Sequence, residues 1–590
     1  MPDSKLTSKA GSMDIEVYDS STNDDPFQHI LEKVGNHGRF QFIYNVTFVM
    51  SLSIAGAMIY MNIILALNIP DHWCTVPGRE ETNLTLSEWR KFTLPTTQDN
   101  RGTEKYSSCQ MYDVNFTEIH DWKNWNSTSA NVTVCKNGWS YDQTWFKNTI
   151  PTRENWVCSK NLYVTNIFVV GRVTEVAGSF LLGQMGDIFG RRIVYYISVI
   201  FSSFGRLSAI LTTAHYTWFL VFSCLTSLTI NSLFHSPHII AMEISREDDR
   251  SLIAMYHNFG WSVGITIVPL LFWWLRDWQS FMWISSVPAA LFLIFYSYVV
   301  ESPRWLVNKK RFGDAITQLK KIAKINGRQF DMTAKELAQL YSSTKQEVTY
   351  GFASLFSGWR LARNTSILGF CRCVVGISYF TIVLFSSGMS GNPFLNFLLQ
   401  SIAEIPAYFM GKYMGDKFGR RLTNSFSLFI SFLTCLPVIF LAKEKKYEFV
   451  VMGLASFIKF LNALTYFTAS LQGMEIYPTC MRQTGCAFGA ILGNSAGVLA
   501  PYLVYLSITF DIRCPYYILC ILFLLATIGA LFLPETLHKK LPDTMEEARQ
   551  FGVNDKFFSL PKPLKVSSIV AIHGNDIAAM QKLNQKQYAP

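Results

Sequence analysis

The chain has 590 residues and a formal net charge of +10, and it is 49% hydrophobic, 15% aromatic and 16% charged. Soluble globular chains carry about 25% charged residues, so a wholly water-facing protein is excluded and many segments are expected to face lipid. The positive balance does not indicate nucleic acid, because the basic residues flank apolar stretches, where they set topology, and no folded soluble domain is left over.

Residues 1–42 are polar, carry Asp24 and Asp25, and hold no apolar core of a signal peptide. Beyond them, stretches of roughly 20 mostly apolar residues, the length needed to cross a bilayer, recur along the chain. Twelve spans are predicted, at 43–67, 163–186, 192–214, 216–243, 252–275, 280–300, 366–387, 393–414, 422–442, 447–474, 484–507 and 515–533. The basic residues choose the sides. Arg191 and Arg192, Arg420 and Arg421, and the lysine-rich segment 301–365 fall on one side, which is therefore expected to be cytoplasmic together with both termini. Lys443, Lys445 and Lys446 are the exception.

Segment 68–162 is then extracellular. It holds Cys74, Cys109, Cys135 and Cys158, which in an oxidising compartment suggest two disulfides in one of three pairings. Its Asn-x-Ser/Thr sequons at Asn83, Asn115, Asn126 and Asn131 are candidate glycosylation sites, whereas those at Asn45 and Asn364 fall in or behind the membrane. The segment 301–365 reads as short amphipathic helices bracing two halves, and 534–590 as a cytoplasmic tail.

An internal repeat organises the rest. Gly186-Asp187-Ile188-Phe189-Gly190-Arg191-Arg192 is matched by Gly415-Asp416-Lys417-Phe418-Gly419-Arg420-Arg421 at an offset of 229. Glu243 and Arg250 stand seven apart, as do Glu475 and Arg482, and Glu301 and Glu535 each close a half. The chain is thus expected to be an all-α membrane protein of two parallel six-helix halves, 43–300 and 366–533, which is the major facilitator plan with its solute site between the halves. Each Asp, at a helix end, can pair with an Arg of a neighbouring span and act as a gating latch, since a carboxylate at membrane depth needs a partner.

These residues resemble solute carrier family 22, the organic cation, anion and carnitine transporters. The resemblance is carried by the loop motif at Gly186–Arg192, by Arg276-Asp277-Trp278, by Glu301-Ser302-Pro303-Arg304-Trp305-Leu306, by Glu475-Ile476-Tyr477-Pro478-Thr479 with Arg482, by Leu533-Pro534-Glu535-Thr536, and by Asp71-His72-Trp73-Cys74. It covers about Phe27 to Glu547. The chain departs from the family where Ile188 replaces a basic residue, where the fourth span lacks its opening Arg, and where Arg172 and Glu175 stand in the second span.

The resemblance implies site residues. Asn494 holds the eleventh-span position that carries Asp in cation transporters and Arg in anion and carnitine transporters; its amide gives hydrogen bonds without a charge. Glu404 and Lys459 are intramembrane charges that can bind solute or pair with each other. Asn231, Phe234 and His238 share a face of the fourth span, where an aromatic can hold a cation and a histidine can titrate near neutral pH. His235 and His238 also read as hydrogen-bonded packing histidines. Tyr379 and Phe380 are further aromatic candidates in the seventh span. Arg172 and Glu175, three apart on one helix, form an expected intramembrane ion pair. No metal-ligand cluster, phosphate loop or nucleophile motif stands out. Neither enzyme chemistry nor a cofactor nor a metal is expected, and the expected partners are a small organic solute, the lipid bilayer and a coupling ion.

Overall fold

The computed structural model describes residues 26–82, 84–98, 104–114, 116, 130–246, 249–342, 352–386, 391–478, 481–537, 539, 542 and 545–552. Eleven helices among the described residues are long and apolar enough to cross a membrane. They are span 1 (Arg39–Ala66), span 2 (Cys158–Phe189), span 3 (Arg191–Leu211), span 4 (Tyr216–Glu243), span 5 (Leu252–Leu275), span 6 (Trp278–Phe295), span 7 (Trp359–Phe385), span 9 (Arg420–Leu441), span 10 (Glu448–Ile476), span 11 (Thr484–Thr509) and span 12 (Cys514–Leu531). Span 8 (Pro393–Phe418) completes the twelve. Its run of Glu404, Lys412, Asp416 and Lys417 lowers its hydropathy, and it spans because Glu404 is shielded by protein.

The pairing of helices repeats. In the first half span 4 packs along spans 2 and 3, and span 1 along spans 5 and 6; in the second half span 10 packs along spans 8 and 9, and span 7 along spans 11 and 12. The halves meet through span 5 against span 8 and span 2 against span 11. Small residues allow some of these approaches: a Cβ at Gly376 of span 7 would collide with the Gly493 backbone of span 11.

Two expected boundaries move. Span 1 begins at Arg39 and span 7 at Trp359, so the linker ends earlier than residue 365. Arg39, Arg360 and Arg363 extend apolar helices at their polar ends, where charged heads reach water. The amino-terminal segment is not only a leader to span 1. Helix Pro26–Val34 buries Phe27, Ile30, Leu31 and Val34 in a core shared with Leu319 and Ile322 of linker helix Phe312–Ile325. Asn326 ties the two, donating to the Gly35 carbonyl at 2.7 Å and accepting from the Phe40 N–H at 2.9 Å.

Segment 68–162 carries three two-stranded antiparallel ribbons. β1 (His72–Cys74) pairs with β6 (Trp139–Tyr141), β2 (Thr96–Gln98) with β3 (Glu104–Tyr106), and β4 (Gln110–Tyr112) with β5 (Val132–Val134). They enclose a small core of Val76, Trp89, Leu94, Met111 and Phe116. Of the three pairings left open by the sequence, the structure has Cys74–Cys135 and Cys109–Cys158. Asn131 is exposed, while Asn83, Asn115 and Asn126 lie outside the described residues. Asn45 and Asn364 are buried, as expected of sequons that fall in spans.

On the side of this loop the halves are sealed by aromatics. Phe394, at the start of span 8, stands 4.9 Å from the ring of Phe146 and 5.7 Å from that of Phe272.

Candidate functional site

The two Gly-Arg-Arg turns are built alike. Gly190 and Gly419 have φ of +111° and +91°, a region open to glycine, and a Cβ at either would collide with the glutamate that closes its half. That glutamate accepts from the two N–H groups that open the next span. Arg191 N–H donates to Glu301 Oε1 at 3.0 Å and Arg192 N–H to Oε2 at 3.2 Å; Arg420 N–H donates to Glu535 Oε1 at 2.8 Å and Arg421 N–H to Oε2 at 3.2 Å. A carboxylate at a helix start satisfies orphan donors and complements the helix dipole. Burial pushes the Glu301 carboxyl above its ordinary range.

The other charges of the two turns follow. Arg191 reaches Asp187 at 2.9 Å and Glu243 at 3.7 Å, and Arg420 reaches Asp416 at 3.3 Å and Glu475 at 3.0 Å. Each arginine therefore joins the end of one span to the end of the span two further on, within one half. The seven-residue spacing of Glu475 and Arg482 is a repeat marker rather than an ion pair: Glu475 takes Arg420 and the Thr536 hydroxyl, and Arg482 has buried Nε and Nη2 with no hydrogen-bond partner among the described residues. The Arg250 side chain lies outside the described residues, as does Thr479.

At mid-membrane two ion pairs face the junction of the halves. In the first half Arg172 Nη1 lies 2.9 Å from Glu175 Oε2, with side chains 11% and 6% exposed. Tyr60 of span 1 donates to Glu175 at 2.9 Å and itself accepts from Arg172. Asn231 of span 4 donates to Glu175 Oε1 at 3.1 Å and to Ser179 at 2.9 Å. In the second half Lys459 Nζ of span 10 lies 2.9 Å from Glu404 Oε1 of span 8, and the two side chains are 2% and 0% exposed.

Span 7 joins the pairs through two consecutive rings. The Arg172 guanidinium sits 3.5 Å over the Phe380 ring, and the Lys459 ammonium 4.0 Å over the Tyr379 ring. The Tyr379 hydroxyl accepts from Trp261 Nε1 of span 5 at 3.2 Å, and Trp261 packs on Tyr60 and on Phe234, each with ring centres 5.5 Å apart. An acidic and a basic group from each half, an aromatic face for each cation, and a Trp bridge thus converge at the place where the halves meet. Aromatic faces and carboxylates attract an organic cation, while the guanidinium and ammonium attract a carboxylate.

Six residues named from the sequence are brought together here or at its edge: Arg172, Glu175, Asn231, Tyr379, Glu404 and Lys459. Phe234 is joined through Trp261, and His238 stands further along span 4 beside His257. Asn494 is half-buried on span 11, and none of the described interactions joins it to the cluster. Sequence reading missed Tyr60 and Trp261, and it named Phe380, which carries the Arg172 guanidinium. It also missed that the offset of 229 relating the two Gly-Arg-Arg turns relates Glu175 to Glu404. That equivalence was available from the numbering alone. Asn462, one turn from Lys459, was missed as well: it is 1% exposed, and neither side-chain polar atom has a hydrogen-bond partner among the described residues. A group of His72, Cys109 and Cys158 near the loop core has a metal-like arrangement, but both thiols are spent in a disulfide.

Comparison with known proteins agrees with this architecture. A family model described as "Sugar (and other) transporter" matches residues 119–547. Organic cation transporter 1 of Caenorhabditis elegans is 27% identical over 555 residues, covering 91% of this chain and 91% of the relative. Human organic cation/carnitine transporter 2 is 26% identical, covering 88% and 93%. The structure of the xylose transporter XylE from E. coli in a partially occluded inward open conformation superposes with a TM-score of 0.54 at 13% identity, covering 85% of this chain and all of that one, which bears on the fold alone. The twelve helices, their repeated pairing and the family match over most of the chain place it together: this multi-pass membrane protein belongs to the sugar (and other) transporter family, whose members are transporters and not enzymes.

Proposed function

We propose that the chain carries small organic cations or zwitterions across the plasma membrane by alternating access, with both termini cytoplasmic, as a divergent relative of solute carrier family 22. One observation carries this reading: Glu175 and Glu404 occupy equivalent positions of the two halves, and each is paired with a cation that rests on a ring of span 7. A solute ammonium competes with Arg172 or Lys459 for carboxylate and ring alike. A solute carboxylate takes the cation so released, which suits a zwitterion. Tyr379, Glu404, Lys459, Asn231 and Phe234 are proposed to contact or shape the bound solute, and Asn494 and His238 to line its path. The charged turns at Asp187, Arg191, Arg192 and Glu243, and at Asp416, Arg420, Arg421 and Glu475, are proposed as latches, with Arg250 and Arg482 beside them. The related organic cation and carnitine transporters support this solute class. Tight packing around Phe394 on the loop side corresponds to a protein closed on that face.

A second reading, transport of organic anions, is favoured by the same two cations, since Arg172 and Lys459 stand beside aromatic faces that an anionic ring also fits. Uptake of labelled cationic, zwitterionic and anionic probes into expressing cells separates the two. The proposal expects saturable uptake of a cation or zwitterion that Glu404→Gln abolishes at unchanged surface level. Uptake of anions alone overturns the solute class, and absence of uptake across the panel with full surface expression favours a binding protein on the transporter fold.

A further inference from the structure

Spans 4 and 5 carry three histidines outside the mid-membrane cluster of ion pairs and rings, one of which, His238, is also proposed to line the solute path. His235 and His238 lie three residues apart on span 4 and so share a face. His257 of span 5 stands between them: its ring centre is 4.8 Å from that of His238 and 5.5 Å from that of His235. Ser53 Oγ of span 1 lies 2.9 Å from His257 Nδ1. His238 Nδ1 is buried and has no hydrogen-bond partner among the described residues. Phe234 is a further ring neighbour, 4.9 Å from His235 and 5.6 Å from His257.

We propose that His235, His238 and His257 bind a borderline divalent transition-metal ion of the Zn2+ kind. Four lines of geometry and chemistry carry this. Two imidazoles bound to one tetrahedral ion at Zn–N of about 2.0–2.1 Å have ring centres about 5 Å apart, and the two separations from His257, to His238 and to His235, bracket that spacing. The nitrogens do not converge on one point in this structure, and among the described residues the three-ligand group lies elsewhere, at His72, Cys109 and Cys158. Rotation about the soft Cβ–Cγ bond turns them while leaving the ring centres in place. A ligating histidine usually hydrogen-bonds an orienting group through its second nitrogen, and the Ser53 hydroxyl stands at that position on His257. Finally, an all-imidazole set with no carboxylate among its described neighbours selects Zn2+, Cu2+ or Ni2+ over Mg2+ and Ca2+.

A cavity of about 470 Å³ on the Gly-Arg-Arg side is lined by Asn45, Ile253 and Tyr256, the last being the chain neighbour of His257, and an ion is proposed to enter from there. A bound ion ties span 4 to span 5 next to Phe234 and hence to the Trp261–Tyr379 bridge, so it restrains the helices that border the solute site.

The test is a titration of purified full-length protein in detergent with Co2+, read by its visible d–d absorption, followed by competition with Zn2+ and Mg2+. It does not depend on transport. The expected result is one saturable tetrahedral Co2+, displaced by Zn2+ and not by Mg2+. His238→Asn/His257→Asn is expected to abolish the signal. His235→Asn, which changes an exposed ligand and leaves the packing of span 4 intact, is expected to weaken it at least tenfold. Ser53→Ala keeps the stoichiometry with affinity about 10–100-fold weaker. His72→Asn, in the loop core, changes nothing. Equal Co2+ binding by wild type and His235→Asn overturns the proposal, as does loss of the signal in His72→Asn.

Discussion

The two halves repeat one scaffold and diverge in how they neutralise an intramembrane carboxylate. Glu175 shares its helix with Arg172 and is further held by Tyr60 and Asn231, so its charge is distributed over spans 1, 2 and 4. Glu404 meets Lys459 from another helix, and that pair is completely shielded. At the Gly-Arg-Arg turns the halves scarcely differ: the same glutamate caps the same two N–H groups and the same arginine bridges two carboxylates. The turns do a job fixed by backbone geometry, which tolerates little variation. The mid-membrane pairs face the junction of the halves, where chemistry can differ as long as each charge keeps a partner.

Breaking the second-half pair gives the largest expected effect. Lys459→Met leaves Glu404 buried without its cation and is expected to cost about 3–5 kcal/mol, whereas Glu404→Leu with Lys459→Met recovers most of the loss. Thermal unfolding in detergent reads both, and equal destabilisation of single and double variants contradicts the pairing. In the first half the same experiment sharpens the contrast. Glu175→Gln keeps an acceptor for Tyr60, and Arg172 retains Tyr60 and the Phe380 face, so a loss of about 1–3 kcal/mol is expected. A loss as large as that of Lys459→Met erases this asymmetry between the halves.

The turns are expected to respond alike. Gly190→Ala and Gly419→Ala each place a Cβ in a glycine-only region of positive φ and against a glutamate, costing about 1–3 kcal/mol from the backbone alone, and a large difference between them shows that the turns are not equivalent. The smallest effects concern Asp277 and Asp511, which open the last hairpin of each half. Asp277 caps span 6, accepting from the Ser280 N–H at 3.0 Å, and Asp277→Ala is expected to cost about 1 kcal/mol. Asp511 accepts from the backbone and guanidinium of Arg513, which holds its carboxyl below its ordinary range. A lowered folded-state pKa contributes stability that is present above the unfolded value of about 3.9 and is lost as pH falls through the folded value. Asp511→Asn is therefore expected to cost under about 1 kcal/mol at neutral pH and nothing in acid below both values. A deficit that persists there assigns the effect to packing.

Much of the fold was legible in the chain because lipid enforces it. Stretches of about 20 apolar residues become helices since no other local structure satisfies the backbone in hydrocarbon, and a 229-residue offset announces two halves. Glu404, Lys459, Arg172 and Glu175 stood out because charges in such stretches are costly and need partners. Helix Pro26–Val34 was not seen, because nine residues with one apolar face resemble a polar leader until linker helix Phe312–Ile325 covers that face. The loop strands were missed for a similar reason: three-residue strands carry no periodicity and are set by disulfides and a few buried aromatics.

The sequence by itself determined the twelve spans, the twofold repeat, the cysteine-bearing loop and the charges that need a partner, because each follows from local composition or from recurrence along the chain. Only the tertiary structure decided which partner each charge takes: Lys459 rather than a neighbour on its own helix for Glu404, Arg420 rather than Arg482 for Glu475, and the rings of Tyr379 and Phe380 for the two mid-membrane cations. Those choices depend on how helices far apart in the chain cross, and a side chain pairs with whatever the crossing brings within about 4 Å.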